Sequence, residues 1–174
     1  MIVNVSDIIN ERGAEKEFSG EVKFKNTVYQ GDKLSFLSPF DVEGKFTNGR
    51  NYLYLSASIH GEIVIPCSRC LEPYTHKIDQ SIFVKLSSRV DIMENDDPDL
   101  FTYTGNRVEL DRIVYEYTLL KLPIKRVCSL DCKGLCPKCG TNLNRHKCNC
   151  DRDDDIDIRL LELKKLLPSD SEEV

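Results

Sequence analysis

Leu53-Tyr-Leu-Ser-Ala-Ser-Ile-His-Gly-Glu-Ile-Val-Ile65 is the stretch that decides the fold of this chain of 174 residues. Every second position from Leu53 to Ile65 is apolar or glycine, and mostly polar side chains occupy the positions between them. Such alternation is typical of a strand with one face in a core and the other in water, as in antiparallel sheets. The stretch therefore predicts a long, half-buried strand.

Similar alternation occurs on both sides of this stretch, at 18–24, 40–46 and 74–86. Asn48-Gly49 lies between two of these segments and is a frequent hairpin turn. Glycine occupies three core-facing positions, namely 20, 44 and 61. Glycine inside a strand indicates a bend. We expect a mainly β fold with some helix (α+β), built on an antiparallel curled sheet or a partly open barrel.

The alternation ends near residue 87. An acidic stretch at 91–99 predicts a surface loop, and a short strand is expected at about 100–104. Apolar residues at helical spacing predict a helix at 109–121 that ends before Pro123. We expect residues 1–122 to form a β-rich body closed by this helix. Residues 123–174 should form a cysteine-rich zinc-knuckle region with a short C-terminal helix.

Composition excludes some classes of protein. The net charge of -5 argues against a wholly basic nucleic-acid binder. No apolar run approaches the roughly 20 residues that span a bilayer. The N-terminus lacks the pattern of a secretory signal, so we expect a cytoplasmic protein. Thiols stay reduced in the cytosol, where the eight cysteines indicate metal binding rather than disulfides.

Six of the eight cysteines lie in one stretch, Cys128 to Cys150, which reads CSLDCKGLCPKCGTNLNRHKCNC. Within it, Cys136-Pro-Lys-Cys139-Gly has the form of a zinc knuckle. Two thiolates three positions apart can bind one ion, and the following glycine lets the chain turn beneath it. Tetrahedral zinc needs four ligands, and Cys148 and Cys150 can provide the remaining two. The sequence predicts a closed Zn²⁺ site here.

The other four cysteines form a second candidate site: Cys67, Cys70, Cys128 and Cys132. The first two lie between two long strands, and the helix can return the chain so that the later pair reaches them. A different grouping places one ion on four residues of the C-terminal stretch: Cys128, Cys132, Cys136 and Cys139. An iron–sulfur cluster also uses four thiolates. Cys67 and Cys70 can also be read as buried thiols or as a redox pair, and spacing does not decide between these alternatives.

Catalytic motifs are missing from the sequence. It contains no glycine-rich phosphate loop, no nucleophile elbow and no His-Glu-x-x-His. His60 and His76 fall on predicted strands as ordinary half-exposed residues, and His146, in the cysteine stretch, is a less favoured alternative ligand. A site closed by four thiolates does not activate water. We therefore expect no catalytic residues and no enzymatic activity.

Residues 121–147, called the basic segment below, contain seven basic side chains and only one acidic side chain. The basic residues are Lys121, Lys125, Arg126, Lys133, Lys138, Arg145 and Lys147. A rigid basic surface suits contacts with RNA phosphates, which position a protein without reading sequence. The alternative is that these charges only balance the thiolates. The segment has no aromatic residue that could stack on bases, which weakens direct base recognition.

Two motifs together resemble a known family. Cys67-Ser-Arg-Cys70-Leu-Glu-Pro-Tyr74 after a long strand, followed by a helix that ends at Leu122-Pro123, is similar to the YceD family. These are the large ribosomal RNA subunit accumulation proteins. The cysteine stretch resembles the cysteine-rich form of that family, and the resemblance covers about residues 15–167. It implies a cytoplasmic protein of bacterial type that supports accumulation of large-subunit (23S-type) ribosomal RNA without enzymatic activity.

Two functional hypotheses follow. The first is a ribosome-biogenesis factor whose zinc-stabilised basic segment contacts pre-ribosomal RNA, a ribosomal protein or an assembly factor. The second is a protein–protein interaction module with a purely structural metal site. Neither hypothesis involves a membrane or a small-molecule substrate.

Overall fold

The computed structural model describes residues 1–88 and 99–150, which form nine strands and one helix. The strands are β1 (Ile2–Asn4), β2 (Glu15–Val22), β3 (Thr27–Tyr29), β4 (Asp32–Phe36), β5 (Phe40–Asn48), β6 (Leu53–Pro66), β7 (Pro73–Ser87), β8 (Leu100–Thr102) and β9 (Arg107–Glu109). Helix α1 (Leu110–Leu120) follows β9 directly.

Strand β6 is the centre of the fold, and its presence confirms the long strand predicted from the alternation. One edge of β6 pairs with β7 along its whole length, from Leu53 opposite Leu86 to Pro66 opposite Pro73. The other edge is shared, because β5 pairs with its first part and β4 with its last part. The chain segments that enter and leave the 67–72 loop are therefore held together by a long antiparallel ladder.

The main sheet ends in three strands, because β5 and β4 share one edge of β6. Its strands follow the order β2-β5-β6-β4-β3, and β7 and β8 continue it beyond the other edge of β6. In the described part of the chain, β2 pairs only with β5, β3 only with β4 and β8 only with β7, so the sheet does not close on itself. Strand β8 runs parallel to β7, which is an exception to the predicted antiparallel arrangement. Strands β1 and β9 form a separate antiparallel pair.

The core lies against one face of β6, where the alternating residues are buried. Leu55, Ile59, Ile63 and Ile65 are fully inaccessible to solvent. Each side chain of this size stabilises the fold by about 1.5–3 kcal/mol relative to exposure. Strands β5 and β6 approach closely at Gly44, where an added Cβ atom would lie 2.6 Å from the Cα of Ala57. Only glycine permits this close approach.

Helix α1 matches the predicted helix within one residue at each end. Leu110, Ile113 and Val114 are buried, whereas Leu120, the last residue of the helix, is 77% exposed. The buried Thr118 also lies on the inner face, and its hydroxyl donates to the Val114 carbonyl at 2.7 Å.

Several predicted features fall outside the described residues. These are most of the acidic loop at 91–99 and the C-terminal helix. The short strand expected at about 100–104 is present as β8. Within the described residues, no helix has both the length and the apolar character needed to cross a bilayer.

Candidate metal centres

The loop at residues 67–72, called the first knuckle, connects β6 to β7. The amide of Cys67 donates to the Glu72 carbonyl at 2.9 Å, and the amide of Leu71 donates to the Cys67 carbonyl at 2.9 Å. Leu71 has a φ of 61°, a left-handed conformation that costs a branched residue free energy. These bonds fold the loop tightly, and the sulfurs of Cys67 and Cys70 belong to one group.

The loop at residues 136–141, called the second knuckle, repeats this geometry. The amide of Cys136 donates to the Thr141 carbonyl at 2.8 Å, and the amide of Gly140 donates to the Cys136 carbonyl at 2.9 Å. Gly140 occupies the position equivalent to Leu71 and has a φ of 72°. Glycine adopts this conformation without a steric penalty. The second knuckle therefore forms without the strain of the first.

The eight thiols lie in two groups of four. The first group contains Cys67, Cys70, Cys128 and Cys132, and the second contains Cys136, Cys139, Cys148 and Cys150. Within each group the Sγ atoms all lie within 4.8 Å of one another. These are the two candidate sites predicted first from the sequence. Cys128 and Cys132 do not share a group with Cys136 and Cys139, and the exposed His146 belongs to neither group.

Two sulfur–sulfur distances in the first group match those around a single tetrahedral ion. Cys67 Sγ lies 3.8 Å from Cys132 Sγ, and Cys70 Sγ lies 3.7 Å from Cys128 Sγ. A regular tetrahedron with metal–sulfur bonds of about 2.3 Å places its sulfurs about 3.8 Å apart. A disulfide requires about 2.05 Å, so these are separate thiols. A cluster of several iron atoms would hold its four thiolates farther apart than one ion does.

Backbone and side-chain donors point at the sulfurs of the first group. The amides of Arg69 and Cys128 both lie 3.4 Å from Cys67 Sγ. The side-chain amide of Asn144 donates to Cys132 Sγ at 3.3 Å. Such donors favour the thiolate form, which is the form that binds metal.

The pKa values within each group diverge. Burial disfavours ionisation of Cys67, but the amide hydrogen bonds outweigh burial and lower its pKa to about 6. The adjacent Cys132 sulfur is the main cause that raises the pKa of Cys128 to about 12. In the second group, the Thr141 side chain lowers the pKa of Cys139 to about 6, and Cys139 in turn raises that of Cys150 to about 12. A divalent cation would remove this conflict between neighbouring thiolates.

The two groups differ in burial. Cys67, Cys70 and Cys132 are buried and pack with Tyr74, Val127 and Leu135. In the second group Cys139 is exposed, and both Cys148 and Cys150 are partly exposed. Cys128 of the first group is exposed and Cys136 of the second group is buried, so three thiols are buried in the first group and one in the second.

Hydrogen bonds connect the second knuckle to the first group. Asn144, which follows the second knuckle, donates to Cys132 and accepts from the Lys133 amide at 2.8 Å. Glu72 of the first knuckle accepts from Arg145 at 3.1 Å. The roles of Asn144 and Glu72 could not be predicted from the sequence, because nothing in their local spacing distinguishes them from ordinary polar residues.

The basic side chains divide into two sets. Arg126 lies 2.5 Å from Asp32 and its side chain is only 18% exposed, and Arg145 pairs with Glu72. The other five are exposed: Lys121, Lys125, Lys133, Lys138 and Lys147. No carboxylate among residues 1–88 and 99–150 lies within 4.0 Å of these five ammonium groups.

A family model described as "Large ribosomal RNA subunit accumulation protein YceD" matches residues 55–167. The match begins inside β6 and includes all eight cysteines. The chain belongs to the YceD family. The description of the YceD family names an accumulation protein for large-subunit ribosomal RNA and no enzymatic activity.

The chain is also similar to several curated proteins. "Uncharacterized protein YlbN" of Bacillus subtilis is 27% identical over 90% of both chains. "Uncharacterized protein Mb2951c" of Mycobacterium bovis is 26% identical over 68% of this chain and 57% of its own length. "Large ribosomal RNA subunit accumulation protein YCED homolog 1, chloroplastic" of Arabidopsis thaliana is 36% identical over 27% of this chain, and the chain covers 15% of that protein. No solved structure gives a significant match.

Proposed function

We propose that this YceD-family protein is a non-enzymatic ribosome-biogenesis factor that supports accumulation of large-subunit ribosomal RNA in the cytoplasm. The observation that carries the proposal is the family match, which spans β6, β7, α1 and all eight cysteines. The partner is pre-ribosomal RNA or a protein of the pre-ribosomal particle, and the contact is made by the basic segment.

In this proposal two zinc ions hold the basic segment in a defined conformation. Four thiols at tetrahedral spacing form a closed site that stabilises a loop and performs no chemistry. The ligands would be the two groups of cysteines described above, one group for each ion. The first ion joins the β6–β7 loop to the chain that leaves α1. The second ion holds residues 136–150, which carry Lys138, Arg145 and Lys147.

The exposed lysines of the basic segment support a contact with phosphates. They have no internal partner among the described residues, so binding them to RNA breaks no ion pair of the protein. A closed tetrathiolate zinc site carries about two negative charges, which reduces the local positive potential. The lysines are exposed in spite of this, and long side chains can reach beyond the metal sites.

Depletion of the protein in cells tests the biological role. We expect fewer large-subunit particles and less large-subunit ribosomal RNA in sucrose-gradient profiles, and a normal level of the small subunit. Unchanged large-subunit particles after depletion would exclude the proposed role. Native mass spectrometry of the purified chain should count two zinc ions.

Binding to RNA tests the proposed contact. Reversing Lys125, Lys133, Lys138 and Lys147 to glutamate should weaken binding and flatten its dependence on salt. Arg126 is left unchanged because its ion pair with Asp32 joins the basic segment to β4. The matched control reverses four exposed lysines of the body: Lys23, Lys25, Lys33 and Lys77. Equal binding by both variants and the parent would favour the alternative, a protein–protein module with structural metal sites.

A further inference from the structure

The outward face of β2, β5, β6 and β7 carries a continuous trough. It consists of three adjoining grooves of about 720, 340 and 460 Å³ that share lining residues on β2, β5 and β6. The depression forms because the central side chains are small: Ser19, Ser56, Ser58 and Ser81. Among residues 1–88 and 99–150, no segment covers this face, since Ser19, Glu43, Ser56, Ser81 and Phe83 are all exposed.

One end of the trough is aromatic. The rings of Tyr54 and Phe83 stack at 5.6 Å with only 16° between their planes, and Phe83 is 59% exposed. An exposed phenylalanine on an inner strand of a sheet has lost the burial that would stabilise it. A flat aromatic surface of this kind binds the planar guanidinium of arginine by stacking and by cation–π attraction.

The other end of the trough is acidic. Glu21 of β2 lies directly opposite Asp41 of β5, and Glu43 follows two positions later on the same face. Like charges in opposite positions destabilise a sheet. Lys45 does not compensate them, because it pairs with Glu15 at 2.9 Å. No cation in the described part of the chain lies within 4.0 Å of Glu21, Asp41 or Glu43.

We propose that the trough binds an extended, arginine-rich segment of a partner protein. One guanidinium stacks on Tyr54 and Phe83, and a second cation lies among Glu21, Asp41 and Glu43. Phe83 of β7 lies opposite Ser56 of β6, which lies opposite Lys45 of β5, and Asp41 is four residues from Lys45. The two ends are therefore two strands and four residues apart. That separation is about 16 Å, which an extended chain spans in about five residues. The acidic end repels phosphates, so the occupant is a peptide rather than RNA. This binding depends neither on the metal sites nor on the basic segment.

Fluorescence anisotropy with the full-length chain tests the proposal. The probe is a labelled Gly-Ser peptide with two arginines about five residues apart. We expect saturable binding with one peptide per chain, and no binding of the same peptide with glutamine in place of arginine. Asp41→Lys with Glu43→Lys should weaken binding by about tenfold or more. This variant should fold normally, because it relieves the repulsion with Glu21. Phe83→Ser should weaken the arginine peptide more than its lysine equivalent.

The control variant, Glu11→Lys with Glu62→Lys, makes the same change in net charge outside the trough. It should bind the probe within about twofold of the parent chain. Absence of saturable binding, or equal weakening by the control variant, would overturn the proposal. Loss of RNA binding in Phe83→Ser would show that the stack is an RNA platform instead. Dissociation of a dimer by Asp41→Lys with Glu43→Lys would show that a second copy of this chain is the occupant. A failure here leaves the ribosomal role intact, because that role is tested by depletion.

Discussion

The first knuckle (residues 67–72) and the second knuckle (residues 136–141) share two backbone hydrogen bonds but lie in different surroundings. The first knuckle connects two strands of 14 and 15 residues that pair along their length, and its thiols are buried. The isolated bridge between Leu135 and Asn142 closes the second knuckle on itself. No strand of the main sheet continues into the second knuckle, and hydrogen bonds from its flanking residues join it to the first knuckle and to Cys132: the donors are Leu135, Asn142, Asn144 and Arg145.

This difference shows that the local conformation of a metal-binding loop does not determine how much the loop contributes to stability. The same local bonding pattern forms in both places, so it does not require a surrounding sheet. The contribution of each ion to stability depends on what the ion joins, because metal affinity is coupled to folding of the chain around the site. We therefore expect the first ion to stabilise the whole body and the second to stabilise only the surface segment.

Paired serine substitutions give the largest expected contrast. Cys67→Ser with Cys70→Ser should lower the free energy of unfolding of the sheet by about 4 kcal/mol or more, because it leaves buried thiols without their ion. Cys136→Ser with Cys139→Ser should change sheet unfolding by less than about 1 kcal/mol. Circular dichroism during urea denaturation measures both values. Native mass spectrometry should find one ion in each variant. Equal destabilisation by the two variants would contradict the contrast.

Removal of metal by a chelator should also separate the two sites. Cys139 is exposed, so the second ion should leave first and without loss of β structure. The first ion should leave only when the sheet unfolds, because three of its ligands are buried. Native mass spectrometry and circular dichroism on the same time course measure the two losses. Simultaneous release of both ions would show that the sites unfold as one unit.

The features that depend on neighbouring residues could be predicted from the sequence. Period-two alternation from Leu53 to Ile65 predicted β6, because a half-buried strand repeats every two residues. Cysteine spacing predicted the second knuckle, since Gly140 marks its left-handed turn. The first knuckle is harder to recognise because Leu71, rather than glycine, occupies the equivalent position. The thiol groups named from the spacing are those that the fold brings within 4.8 Å.

The contacts between distant residues could not be read from local patterns. Arg126 pairs with Asp32 across 94 positions of sequence, and Arg145 pairs with Glu72 across 73 positions. Nothing in the spacing of these residues predicts a partner. As a result, the sequence predicted one basic surface that included Arg126 and Arg145 together with the five exposed lysines. In the structure two of the seven charges form ion pairs with carboxylates of this chain, Arg126 in a partly buried pair and Arg145 in an exposed one.

Asn144 lies between two ligands of the second site in the sequence but donates to a sulfur of the first site, so its substitution tests whether the two sites are coupled. Asn144→Ala removes the donor to Cys132 Sγ and should weaken metal binding at the first site by about 10–100-fold. The matched control is Asn149→Ala, since Asn149 lies between Cys148 and Cys150 and is exposed. Competition with a chromophoric chelator measures the affinity of each site. Equal effects of the two substitutions would mean that Asn144 does not tune the first site.

Substitutions of the residue that follows the second cysteine of each knuckle should have the smallest effect on stability. Gly140→Ala should destabilise the second knuckle by about 1–2 kcal/mol, because a Cβ atom is disfavoured at positive φ. Leu71→Gly should be neutral or stabilising by up to about 1 kcal/mol, since relief of the left-handed strain is offset by greater freedom of the unfolded chain. Leu71 is 65% exposed, so little packing is lost. Metal affinity and urea denaturation measure both effects. Marked destabilisation by Leu71→Gly would indicate that the leucine side chain makes a contact that outweighs its backbone strain.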